Sequence, residues 1–95
     1  MDAIARLQHW YVSQCNGFWE HQFGVKICTI DNPGWSLEVD LNETDCRELS
    51  MAQIRIERSE SDWIDCRKEG SRFVGMGGPA NLDEIIEQFL VFVSG

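Results

Sequence analysis

The 95-residue chain predicts an α+β fold in two layers: an antiparallel sheet of about five strands in meander order, with N- and C-terminal helices packed on one face. Three observations carry this. Apolar residues recur with the helical period at both ends of the chain and with a period of two between them. The connections are short, whereas parallel strands need long crossovers. Two amphipathic helices can cover one face of such a sheet, which leaves the other open to water or a partner.

The first helix is predicted from about Asp2 to Cys15. At about 100° per residue, Ala3, Ile4, Leu7, Trp10, Tyr11 and Cys15 share one arc, with Asp2, Arg6, His9 and Ser13 opposite. Asn16-Gly17 supplies the left-handed position that ends a helix. From Glu20 the period changes to two, with Phe23, Val25, Ile27 and Thr29 on one face of a strand. Asp31-Asn32-Pro33-Gly34 is a turn, and Trp35, Leu37, Val39 and Leu41 alternate beyond it with polar residues, so the two strands form a hairpin. Residues 42–51 have no period and read as a charged loop. Further strands are expected near Ala52–Arg58, Trp63–Lys68 and Arg72–Met76. In the last helix Asn81 and Glu84 suit a reciprocal N-terminal cap, and Leu82, Ile85, Ile86, Phe89, Leu90, Phe92 and Val93 form one broad apolar face.

The length fits one domain spanning residues 1–95. No apolar run approaches the roughly 20 residues that cross a membrane. The opening MDAIARLQHW has an early acid and no apolar core, unlike a signal peptide, so a cytoplasmic location and free thiols are expected. The four cysteines contain no CxxC pair and the histidines no HxxxH spacing; no metal site and no cofactor are predicted. Sixteen acids against eight bases give a net charge of −8. Such a chain repels phosphate backbones, which argues against direct nucleic-acid binding, and attracts basic proteins; solubility alone is the plainer explanation.

The stretch CNGFWEH, residues 15–21, gathers a thiol, a carboxylate and an imidazole. A small thiol or hydrolytic enzyme built on Cys15, Glu20 and His21 is one reading. Against it, Cys15 ends a helix, where the dipole disfavours a thiolate, and lies on the apolar arc, so a buried, inert thiol is expected. His21 falls in phase with Phe23 at the edge of the core. The glycines of GMGG, residues 75–78, match no phosphate loop and read as a flexible lead into the last helix. No catalytic residues are assigned. A small-molecule-binding adaptor using the open sheet face is a further alternative.

The segments LQHWYVSQCNGFWEH, GVKICTIDNPGWSLEVDL, DWIDC and GMGGPANLDEIIEQFL together resemble the immunity protein 53 family, small bacterial proteins of polymorphic toxin systems. The resemblance runs from Leu7 to about Phe89, and QCNG-x-WEH followed by DNPGW is its specific part. It implies a cytoplasmic protein that binds and neutralises a cognate protein toxin, with no catalytic residues to carry over. Combined with the charge, it suggests an acidic surface with tryptophan anchors that blocks a basic toxin site. The expected contacts are Glu38, Asp40, Glu57, Asp62, Trp63 and Asp65, with Trp19 and Glu20 at the rim.

Overall fold

The computed structural model describes residues 2–94. In chain order it contains α1 (Ala3–Gln14), a single-turn α2 (Trp19–Gln22), β1 (Val25–Ile30), β2 (Gly34–Asp40), β3 (Ile54–Ser59), β4 (Asp62–Glu69), β5 (Arg72–Gly77) and α3 (Leu82–Val93). The five strands form one antiparallel sheet in the order β1-β2-β5-β4-β3. A hairpin, β1–β2, and a three-strand meander, β3–β4–β5, meet along β2 and β5, so residues 41–53 carry the chain from β2 to the far edge.

The register assigns the faces. Val25, Val39 and Phe73 lie in one row; Ile27, Leu37, Gly75, Cys66 and Ile54 in the next; Thr29, Trp35, Gly77, Ile64 and Ile56 in the third. This is the covered face. Leu37, Val39, Ile64, Cys66 and Phe73 are fully buried there, together with Ile85, Ile86 and Phe89 of α3. Burying each such large side chain contributes roughly 1.5–3 kcal/mol. Edge-on aromatic contacts tie the layers together, Phe73 to Phe89 at 5.2 Å and Phe89 to Trp10 at 4.9 Å between ring centroids.

Two glycines set how closely α3 sits. A β-carbon on Gly75 would lie 2.6 Å from Cγ2 of Ile85, and one on Gly77 would lie 2.9 Å from its Cδ1. The GMGG segment is thus a bare strip that admits a helix side chain, and not the flexible lead expected from its composition.

Local capping departs from expectation in two places. Residues 19–22 form a helical turn instead of the start of a strand, because Asn16 Oδ1 accepts the N–H groups of Phe18 and Trp19 at 3.0 Å and Glu20 reaches back to the N–H groups of Asn16 (2.9 Å) and Gly17 (2.7 Å). Gly17 has φ +89°, the left-handed turn that allows this loop. At α3, Asn81 is the N-cap residue but makes no side-chain cap; its amide instead donates to Asp62 (3.0 Å) and Glu84 (3.1 Å).

The helices share the covering unequally. α3 packs on β2, β4 and β5, while α1 packs mainly on α3 and buries only Ala3 and Leu7. The predicted apolar arc of α1 is therefore half in water: Ile4 and Tyr11 are exposed, and so is Cys15. Loop 41–53 closes one end of the covered layer, with Leu41 and Cys46 buried and Lys68 Nζ donating to the carbonyls of Arg47 and Leu49, each at 2.6 Å.

Candidate partner interface

The reverse of the sheet carries Asp40, Arg72 and Glu69 in one row, then Lys26, Glu38, Val74 and Arg67, then Cys28, Ser36, Met76, Asp65 and Arg55, and finally Trp63 beside Glu57. Acids and bases alternate across it. Glu38 accepts from Arg72 at 3.2 Å, and Arg67 lies between Asp65 (3.6 Å) and Glu69 (3.3 Å). Arg55 meets Glu57 at 2.7 Å, Gln53 donates to Asp65 at 3.0 Å, and Asp40 accepts the backbone N–H of Gly24 at 3.1 Å. Glu38, Asp40 and Asp65, expected among the contacts of an acidic surface, lie on this face but are matched by neighbouring donors. Arg55-x-Glu57 and Asp65-x-Arg67-x-Glu69 were same-face pairs legible in the sequence; the Arg72–Glu38 match needed the β2–β5 register.

A surplus of acid does exist, at the end of the sheet where β1, β3 and β5 finish and α3 begins. Asp31, Glu57, Glu60, Asp62, Asp83 and Glu84 lie there with Arg55 and Arg58 as the nearby bases. Arg58 is held by Asp62 (2.9 Å) and Glu84 (2.6 Å), so its charge is spent internally. Hydrogen bonds from Asn81 and then Arg58 hold the Asp62 carboxyl below its ordinary range, and Arg58 does the same for Glu84. Beside this cluster a shallow groove is lined by Arg55, Glu57, Ser59, Glu60 and Trp63, with the indole half-buried. Of the expected contacts, Glu57, Asp62 and Trp63 come together here. Glu60 joins them in lining the groove and was not foreseen; Asp83 lies in the first turn of α3 at the same end of the sheet.

Two expected rim residues have other roles. Trp19 is fully buried, packed edge-on against Trp10 and Tyr11, with its indole N–H on the carbonyl of Asn42 at 3.0 Å. It is a core residue, because the unforeseen turn α2, which begins at Trp19, directs the side chain inward. Glu20 closes the 15–18 loop, and hydrogen bonds from its own N–H and those of Asn16 and Gly17 keep its carboxyl below the usual range. That carboxylate is occupied as a cap. Cys15 lies exposed with its thiol on the carbonyl of Tyr11 at 3.3 Å, and His21 is exposed as well, not at the core edge. Among the described residues no group of three or more His, Cys, Asp or Glu is placed to hold a metal, and no helix is long and apolar enough to cross a membrane.

The family model for immunity protein 53 matches residues 4–94. The chain belongs to the immunity protein 53 family. Comparison with curated proteins and with solved structures gives no significant match. Membership supports an immunity role and the binding of a cognate toxin. In this immunity protein 53 chain the groove beside Trp63 sets a half-buried indole next to the carboxylates of Glu57 and Glu60.

Proposed function

We propose that this immunity protein neutralises its cognate toxin in the cytoplasm by seating the acidic end of its sheet over a basic site on the toxin. The observation that carries the reading is the half-buried Trp63 in a groove flanked by Glu57 and Glu60, at the end of the sheet where carboxylates outnumber arginines. Negative charge steers the approach of a cationic surface and an indole supplies the desolvated contact that dominates affinity. Asp62 is held in place for this by Arg58 and Asn81. Glu38, Asp40 and Asp65 form a charge-matched flank. No chemistry by the protein itself is required; occupation of the toxin site is sufficient.

The direct test is rescue. Cells producing the toxin encoded beside this gene are expected to survive when the wild-type protein is co-expressed. Rescue by a charge-reversed Glu57→Lys, Glu60→Lys variant with unchanged affinity would remove the acidic end from the account.

A further inference from the structure

A second surface lies at the opposite edge of the sheet. β1 is an edge strand, and α3 packs mainly on β2, β4 and β5. Between α1 and β1 runs a groove lined by Leu7, Gln8, Tyr11, Gly24 and Val25. One helical turn before Leu7 lies Ile4, 42% exposed, and two residues beyond Val25 on the same strand face lies Ile27, 38% exposed. None of these residues is an acid, in a chain whose net charge is −8.

The free edge of β1 is also unpaired backbone. The N–H of Asp40 donates to the carbonyl of Gly24 at 3.1 Å, so Gly24 turns its backbone toward β2. Alternation along the strand then points the N–H and C=O groups of Val25, Ile27 and Thr29 outward. Their side chains share the covered face of the sheet, and Val25 among them lines the groove beside α1. A ladder of free donors and acceptors above an apolar trough is a template for one more strand.

We infer that this edge pairs with β1 of a second copy, making a two-fold dimer with a continuous ten-stranded sheet. A two-fold interface must be self-complementary, and β1 meets that condition. Run antiparallel to itself, it joins outward groups to outward groups and lays its apolar side chains along the copy's trough. Electrostatics favour the same occupant. Two acidic chains associate most readily where neither presents acid, and Lys26 is the only charged residue on the strand. A basic toxin, by contrast, gains nothing from this edge. β1 and β3 lie at opposite edges, so pairing leaves both Trp63 grooves free. The inference is independent of where the toxin docks.

Sedimentation equilibrium in reducing buffer, at concentrations up to about 1 mM, tests it. The expected mass approaches twice 10.9 kDa. Thr29→Pro removes an outward N–H without touching the β2 ladder, and Ile27→Lys places charge in the trough; each is expected to raise the dimer dissociation constant more than about tenfold. Hydrogen exchange gives the register: amides of Ile27 and Thr29 are expected to gain protection as concentration rises. A wild-type chain that stays at 10.9 kDa overturns the inference. So does a dimer indifferent to both substitutions in folded variants. A monomer whose toxin neutralisation is lost in Thr29→Pro overturns it too, and would assign the edge to the toxin.

Discussion

Arg58 and Glu84 meet through two parallel hydrogen bonds, Nη1 to Oε1 at 3.1 Å and Nη2 to Oε2 at 2.6 Å, and so lock the last residues of β3 to the first turn of α3. Asp62 and Asn81 complete the cluster. Fork-to-fork geometry of this kind fixes orientation as well as contributing energy. It holds together the end of the sheet on which the proposed docking depends.

The cluster makes stability depend on pH. The folded-state pKa values of Glu84 and Asp62 lie below their ordinary values of 4.5 and 3.8. The contribution is therefore full at neutral pH and is lost as pH falls below those values toward the depressed ones. The melting temperature is expected to drop on acidification through this window. An Arg58→Ala chain should start lower and drop less, and parallel curves for the two proteins would show that the fork contributes nothing.

Gly75 and Gly77 are predicted to resist any side chain. Gly75→Ala forces its new methyl against Ile85, and overpacking of this kind costs about 1–3 kcal/mol. Urea denaturation measures the loss. In an Ile85→Ala background the penalty of Gly75→Ala should be smaller, since the two changes act on one contact and are not additive.

Lys68 has a structural task on the covered face. Replacing it with Met leaves the carbonyls of Arg47 and Leu49 without their donor, at an expected cost of about 1–3 kcal/mol. Faster hydrogen exchange confined largely to residues 41–53 is the signature; a uniform change across the sheet would contradict it.

The thiols divide into two pairs. Cys15 and Cys28 are exposed, whereas Cys46 and Cys66 are buried, and burial pushes the Cys66 thiol up to about 12. A thiol reagent at neutral pH is expected to modify the first pair in the native protein and the second only on unfolding.

Trp63→Ala is expected to weaken toxin binding by more than about 2 kcal/mol, while Glu38→Gln, on the charge-matched flank, changes it by less than about 1 kcal/mol. Calorimetric titration of the purified toxin with each folded variant compares them. Equal effects would mean that the whole sheet face, and not the Trp63 end, makes the contact.

Much of the fold was legible because period is a local property. The alternation of Trp35, Leu37 and Val39 and the apolar face of α3 identify their elements without reference to any neighbour. The candidate site was less legible. Trp19 read as a rim residue because nothing in its flanking sequence announces that Asn16 and Glu20 cap a helical turn there. Glu38 read as a free acid because its partner, Arg72, is remote in sequence.

By itself the sequence determined the kinds and order of the main elements, though not the turn α2, together with the net charge and the family, since each follows from residue types at short spacing or from the pattern of the whole chain. Only the tertiary structure decided which strands are neighbours. That choice sets which charges cancel, which aromatic is sealed and which edge is left bare, because pairing between distant segments depends on how the whole core closes. Here β5 came to lie beside β2, and part of the surplus acid was left at the end of the sheet with Trp63.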